Sequence, residues 1–513
     1  MIRRALALLV CSALVTAVPA APTAADPVPV NGREARAVAT LDRVETLAGD
    51  RTLALRDLAQ LKDALPAELQ RRAASYLSRP TGNPERCADF SCYTTRDVRR
   101  VCTALLCVHY VERADDRANG VPTRDRDDDG RPDYVETVLA SMVRVHRTYV
   151  DAGYRRPLGD GTRGGDARPD VYLAQIGDQA LYGYCATDAA AVPQHGATWA
   201  YCVLDNDYRK REFPLHTPIQ NMQVTAAHEY FHAVQFGYDV GEDAWFMEAT
   251  ATWVEDEVFD RVDDNVSYLS WGPLGQPDLP LDSLQDGYYY GAWIFFRHLT
   301  ERFRTSQAGL PEIVRTMWRY ADAARSGAPD HYSLAAVDRA LADQGSSVAD
   351  QFLRMSAANQ HPTRWYAEGR RYPRAPLAGT WWLTRTDPVA DIRLVQDHLT
   401  SDTYRFEPAS GMAAADWQLR LILDLAPERR GSRALARVFL KAGGVRTVVL
   451  DLSETGDHDG TVAFSATDVT AVELTVVNAS TRYRCGFGTR WSCHGRPLDQ
   501  DVAQRVVARA ERS

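Results

Sequence analysis

The chain has 513 residues, 45% hydrophobic and 25% charged, the composition of a folded globular protein with room for about two to four domains. Its net charge is −9, with lysine only at Lys62, Lys210 and Lys441. No basic stripe is present, which excludes nucleic acid and an anionic membrane surface as expected partners.

Residues 1–24 read as a signal peptide. Arg3 and Arg4 precede the apolar run "ALALLVCSALVTAV", and "PAAPTAAD" supplies small residues for cleavage. The run is short for a membrane span, and no later run is long enough. Cys11 follows Val10 rather than a small residue, which argues against a lipid anchor. The expectation is a secreted, extracellular monomer with no membrane anchor. Nine cysteines, less Cys11, leave eight, and an even number in an exported chain reads as disulfides. Locality pairs Cys185 with Cys202 and Cys485 with Cys493. Cys87, Cys92, Cys102 and Cys107 can pair in more than one way, or hold a zinc ion, although their spacings lack the tight pairs such a site favours.

Segment 25–85 is a helical lead-in or a pro-segment: "DLAQLKDALPAELQRRAASYLSRP" repeats apolar residues at three- and four-residue steps up to Pro80. From 86 to 370 the texture is mixed. Within it, "DRDDDGRPDYVE" (125–136) sets Asp125, Asp127, Asp129, Gly130, Asp133 and Glu136 at positions 1, 3, 5, 6, 9 and 12 of an EF-hand-type loop. Alternate acids point inward, Gly130 permits the turn, the Arg131 carbonyl contributes, and Glu136 closes the site from the following helix. A structural Ca2+ ion is expected, because Pro132 resembles the DxDxDGxPD loops of exported proteins more than a paired sensor hand. "PDVYLAQI" and "ATWAYCVL" then read as strands. "VTAAHEYFHAVQFGY", "AWFMEATATWVEDEVF", "YYYGAWIFFRHLTERF" and "PEIVRTMWRYADAA" read as helices, so the second half of this part is mostly helical.

The first of these helices carries chemistry. His228 and His232 are four apart, on one face, and can point two imidazoles at one cation. Glu229 lies on the adjoining side, where it can hold the metal's water. The plainer alternative is a buried helix with incidental histidines. Catalytic zinc takes three protein ligands and keeps one position open. The residue six beyond His232 is Tyr238, the wrong kind of ligand, and Gln235 stands where the extended histidine pattern needs a glycine. Glu248, after 15 intervening residues, can return to the ion through the turn at "DVGED". Glu255 and Asp256 can accept from the far N–H of a ligating imidazole, or form a solvated acidic face.

"HEYFH" followed by "WFMEATATWVE" resembles the gluzincin metallopeptidases. In their aminopeptidase branch the ligand glutamate sits in a WLNExFAxYxE-like helix; here Trp245 stands three before Glu248 and Glu255 seven after. That branch also carries an oxyanion-stabilising tyrosine in a YEKGA segment. Alignment of "YYYGA" on Gly291 puts Tyr288 there, with Tyr289 and Tyr290 as neighbours that can substitute, and a packed aromatic as the alternative. A nearer resemblance, over most of 105–365, is to predicted exported bacterial metalloproteases that share HEYFHxxQ, a WxxEAxAxWxED helix and a YGxWxFxxxL helix. The chain has no GxMEN segment to bind a free α-amine, which favours an endopeptidase over an exopeptidase. The resemblance implies Zn2+ on His228, His232 and Glu248, with Glu229 as general base and Tyr288 as oxyanion donor. It also implies a protein or peptide substrate paired along "ATWAYCVL" as the sheet edge.

From 376 to 496 the runs "GTWWLTRT", "DTYRFEP", "WQLRLILDL", "ARVFLKA", "RTVVLDL", "TVAFSA" and "AVELTVVNAS" are short and regularly spaced, as in a β-sandwich. Residues 497–513 are a tail, either a short helix or loose. The expected fold class is α+β: a zincin-like metallopeptidase domain, mostly helical in its second half, then a C-terminal β-sandwich that folds as a separate unit. The expected function is a secreted zinc endopeptidase. One rival is a non-catalytic extracellular binding or adhesion protein on an inactive zincin fold, which the intact Glu229 argues against. Another is a zinc hydrolase acting on glycan or ester bonds, because the motif sets the nucleophile and not the substrate.

Overall fold

Side chains of a strand alternate between its two faces, so a sheet covered on both sides serves two cores at once. Five strands here do so: β1 (Arg99–Cys102), β2 (Cys107–Tyr110), β3 (Asp170–Ala174), β4 (Gly183–Ala186) and β5 (Tyr201–Asp205). The computed structural model that contains them describes residues 32–46, 51–83, 87, 91–285, 287–324 and 330–513; the expected signal peptide, 1–24, lies outside the described residues. The strand order is β1-β2-β3-β5-β4. Strands β2, β3 and β5 run parallel, and β1 and β4 are antiparallel edges.

On one face Tyr172, Ala174, Tyr184, Ala186, Tyr201 and Val203 pack against three N-terminal helices, α1 (Arg33–Thr46), α2 (Thr52–Leu61) and α3 (Ala67–Tyr76). On the other, Val171, Leu173, Cys202 and Leu204 pack against α4 (Asp133–Asp151) and α5 (Pro218–Gln235). The helical lead-in is therefore one covering layer of the sheet. Taking it away would uncover a face rich in tyrosine and aliphatic side chains.

The strand "ATWAYCVL" is β5, which lies inside the sheet, and not its edge as expected. The edge is β4, fastened to β5 by Cys185–Cys202 between directly opposed residues. Strand β4 is short and follows a turn, so its apolar signal is weaker than that of β5 although it forms the edge. The other disulfides are Cys485–Cys493, Cys87–Cys92 and Cys102–Cys107. The first four cysteines thus pair with their nearest neighbours and leave no thiolates for zinc.

The helical half continues through α6 (Ala244–Phe259), α7 (Tyr288–Gly291), α8 (Trp293–Arg302), the hairpin β6 (Ser306–Gln307) and β7 (Leu310–Pro311), α9 (Glu312–Tyr320), α10 (Leu334–Ala342), α11 (Val348–Asn359) and α12 (Pro362–Trp365). The run "YYYGAWIFFRHLTERF", expected as one helix, is split into α7 and α8. Gly291, at the split, lies against Gly272 so closely that a Cβ would come within 2.6 Å of the Gly272 backbone. Among the described residues no helix is long and apolar enough to cross a membrane.

The C-terminal part holds β8 (Gly379–Leu383), β9 (Val389–Gln396), β10 (Thr400–Pro408), β11 (Trp417–Asp424), β12 (Ser432–Leu440), β13 (Val445–Leu450), β14 (Asp457–Ala463), β15 (Val469–Asn478), β16 (Tyr483–Arg484), β17 (Arg496–Pro497) and β18 (Val502–Arg512). Two sheets, ordered β13-β12-β15-β10-β8 and β14-β11-β18-β9, share one core. Residues 497–513 are not the expected tail: β18 is an interior strand between β11 and β9, with Val506, Ala508 and Ala510 buried and Arg505 and Arg509 turned away.

The β-rich part also shares a core with the helical part, against the expectation of a separate unit. Leu399, Leu435, Val477 and Ala479 belong to the same cluster as Phe352, Leu353 and Met355 of α11. Across this junction the buried Asp282 carboxylate meets His398 at 2.9 Å and accepts from the Tyr483 hydroxyl at 2.8 Å and the Ser492 N–H at 2.8 Å. A buried carboxylate needs such partners, since an uncompensated charge inside a protein is strongly destabilising.

Candidate metal centre

Helix α5 starts at a capping box: Thr217 accepts the Gln220 N–H, Gln220 reaches back to the Thr217 N–H, and Pro218 occupies the first turn. From Asn221 onward nearly every residue is buried. The polar residues of such a helix must find partners inside the protein. The chain then turns at Asp239, whose Oδ1 accepts the Gly196 and Gly241 N–H groups. Helix α6 returns alongside α5 and brings Glu248 to the two histidines.

Three ligand atoms converge. His228 Nε2 lies 3.1 Å from His232 Nε2 and 3.2 Å from Glu248 Oε2, and His232 Nε2 lies 3.6 Å from Glu248 Oε1. The far ring nitrogens are both engaged. His228 Nδ1 meets Glu255 Oε1 at 2.7 Å, and His232 Nδ1 meets Gln235 Oε1 at 2.7 Å. Gln235 donates its amide N–H groups to the Met247 carbonyl and Thr250 Oγ1, so its oxygen must face His232. His232 therefore carries its proton on Nδ1, and an ionised Glu255 holds His228 in the same tautomer, so that each imidazole aims an Nε2 lone pair at the same point as the Glu248 carboxylate. Lone pairs and a carboxylate repel one another unless a cation lies between them. A tetrahedral ion held at zinc–nitrogen and zinc–oxygen distances sets its ligand atoms about 3.3–3.6 Å apart, close to the triangle found here. The residues fit a metal.

The surroundings are acidic. Burial pushes the Glu255 carboxyl up to about 7, against the opposing pull of His228. A pocket of about 210 Å3 opens on the site, lined by Gly183, His228, Glu229, Glu255, Asp264, Tyr268 and Tyr290 among others, with no lysine or arginine among the described lining residues. Asp264 pairs with His216 at 2.9 Å. Glu229 is buried but faces this pocket, and its Oε2 accepts the Thr52 hydroxyl at 3.0 Å. Gly183 of the edge strand sits directly over it: a Cβ there would come within 2.8 Å of Glu229 Cγ and 2.7 Å of Thr225 Cγ2.

Of the sequence-predicted residues, His228, Glu229, His232 and Glu248 come together. Tyr288 does not join them and is corrected. It is 2% exposed, and its hydroxyl donates to the Leu279 carbonyl at 2.8 Å. Tyr290 takes the pocket position instead, its ring 6.0 Å from that of His228. Residues two apart on a helix point to nearly opposite sides, so a one-turn helix entered from Gly287 at φ +78° turns one tyrosine inward and the other to the cleft. Of the two acids proposed to orient the imidazoles, Glu255 does so, whereas Asp256 pairs with Arg297. Sequence reasoning missed Gln235 as a partner of His232, although the three-residue spacing signals it. It also missed Thr52, for which no local signal exists.

The loop 125–136 lies at the head of α4, away from this pocket. Asp125, Asp127 and Asp129 each bring an oxygen within 4.8 Å of the others. Gly130, at φ +85°, donates its N–H to Asp125 Oδ2, and the Arg131 N–H goes to Asp129 Oδ1. Asp125 Oδ1 is shielded and has no hydrogen-bond partner among the described residues. Desolvation, together with the Asp129 and Asp127 carboxylates, raises the Glu136 carboxyl above its usual range, but Glu136 is not one of the three acids whose oxygens converge. Asp133 is drawn to the Arg126 backbone and side chain.

No family model matches the chain, and no curated protein matches it. Among solved structures, it is similar to the pre-peptidase C-terminal domain of a Bacillus anthracis collagenase, at 9% identity over 27% of this chain and 100% of that one, with a TM-score of 0.16. It is also similar to a Salmonella Typhimurium periplasmic inhibitor of g-type lysozyme, at 14% identity over 26% of this chain and 99% of the other, with a TM-score of 0.15. A third likeness is to a surface-associated copper-binding protein of Methylomicrobium album, at 8% identity over 27% and 98%, also at 0.15. Likenesses this slight carry no argument about the site.

Proposed function

We propose that the chain is a secreted zinc endopeptidase with a zincin-like, gluzincin-type catalytic domain. The observation that carries this reading is the triangle of His228, His232 and Glu248 with Glu229 beside it. When bound, zinc would activate a water and polarise the scissile carbonyl. Glu229 takes the proton of the attacking water and passes it to the leaving amine. Tyr290, which lines the pocket where Tyr288 does not, would donate a hydrogen bond as negative charge develops on the carbonyl oxygen. Glu255 and Gln235 hold the two imidazoles in the tautomer that leaves Nε2 for the metal.

An extended substrate has an edge to pair with. The Asp205 N–H bonds the Tyr182 carbonyl, so in this antiparallel pair the backbone groups of Gly183 and Cys185 face away from β5. The Cys185 N–H is taken by Thr52, which leaves Gly183, in the pocket wall, as the pairing position beside the metal. The four disulfides fit an oxidising, extracellular compartment.

The direct test is metal analysis of the purified protein alongside digestion of a peptide library with and without chelator. One zinc per chain and chelator-sensitive internal cleavage are expected. Hydrolysis confined to esters or glycans would reassign the substrate. A metal-loaded protein that cleaves nothing would favour the binding or adhesion reading.

The same reading places a structural Ca2+ ion in loop 125–136, held by Asp125, Asp127, Asp129 and Glu136 with the Arg131 carbonyl, and Asp133 after release from Arg126. A ligand bound only by the folded state stabilises it, by about 2.7 kcal/mol at a hundredfold excess over its Kd. Asp127→Ala is expected to remove the calcium dependence of the Tm and to leave zinc content unchanged. A wild-type Tm indifferent to calcium would reject the site.

A further inference from the structure

Helix α2 touches both helices of the metal centre, with two residues one turn apart on the same face. At the first, Thr52 Oγ1 lies 3.0 Å from Glu229 Oε2 and 2.9 Å from the Cys185 amide nitrogen. A hydroxyl has one proton to donate. The Cys185 N–H must donate to the oxygen, so the hydroxyl proton is directed to Glu229. At the second, Arg56 Nη1 donates to the Glu242 carbonyl at 2.7 Å, in the turn that leads into α6 and Glu248. Thr52 is fully buried and no residue of α2 lines the pocket. The helix therefore stands behind the site and leaves the cleft open.

We propose that Thr52 is a positioning residue for the general base: by bridging Glu229 to the edge strand it fixes the carboxylate, so the N-terminal helical segment is a working part of the mature enzyme and not an inhibitor removed from it. This rests on the hydrolase reading above and adds to it a function for a segment 177 residues away in sequence. One carboxylate oxygen is held by Thr52, which restrains the rotation of the group.

The test compares full-length Thr52→Val and Thr52→Ser with wild type. A hydrogen bond to a charged group converts to roughly 10- to 100-fold in rate. Thr52→Val is expected to lower kcat by that factor with KM and zinc content unchanged, and Thr52→Ser to recover most of the loss. Should Thr52→Val not fold, Thr52→Ala takes its place. In metal-free protein, hydrogen exchange at the Cys185 amide should quicken in the Val or Ala variant and not in the Ser variant. The intact mass of the active secreted protein should include residue 52. A Val or Ala variant with wild-type kcat, unchanged Cys185 exchange, or an active species lacking residue 52 would each overturn the proposal. Wild-type protein with no hydrolase activity would instead count against the function, and the exchange measurement would still decide the Thr52 bridge.

Discussion

Glu229→Gln is expected to lower peptide hydrolysis by about two to four orders of magnitude while zinc remains bound. The Glu229 carboxylate is not one of the three converging ligand atoms, so its loss removes no metal bond. Glutamine keeps the shape and an oxygen that can still accept from Thr52, so the packing under Gly183 is preserved. An amide cannot take the proton of the attacking water, and the loss should fall on kcat. Metal analysis and steady-state kinetics on one preparation measure both quantities. Full activity in this variant would mean that the mechanism proposed here is wrong.

Glu248→Ala should have the opposite signature, loss of the metal and of activity together. Glu248 is fully buried, and its Oε1 has no hydrogen-bond donor among the described protein groups. Without it the two Nε2 atoms, 3.1 Å apart, are left to hold the ion alone. Dialysis followed by metal analysis should find little zinc. Substitutes from nearby are not poised. Glu255 is committed to the far nitrogen of His228, and Asp239 holds the Gly196 and Gly241 N–H groups and His195. Full occupancy after the substitution would place the third ligand elsewhere. Between them the two variants separate binding from chemistry, because one removes a ligand and the other a proton acceptor.

What the sequence determined by itself was local. His228, Glu229 and His232 fall within five positions of one helix, and the 3.6-residue period alone puts the two imidazoles on a shared face. Glu248 was legible because a tight turn between two helices can close only a short connection. The acids of loop 125–136 follow a fixed loop spacing. The alternating C-terminal strands announced themselves by period two, and Cys185–Cys202 and Cys485–Cys493 by proximity, whereas the pairing of Cys87, Cys92, Cys102 and Cys107 was open until the structure set it. Tertiary structure decided the rest, for one physical reason: periodicity shows which face of an element is apolar but not what covers it. Strand β5 is more apolar than β4, yet β4 is the edge, because strand order depends on how connections cross the sheet. The arginine-spaced run of β18 fits a short helix as well as a strand, and the gap between β11 and β9 chose the strand. Tyr290 displaced Tyr288 because Gly287 and the Gly272–Gly291 contact set the rotation of one helical turn. Thr52 reached Glu229 only because the lead-in helices had a bare sheet face to bury. No pattern within α2 records that contact, since its partner is supplied by the packing of the whole domain.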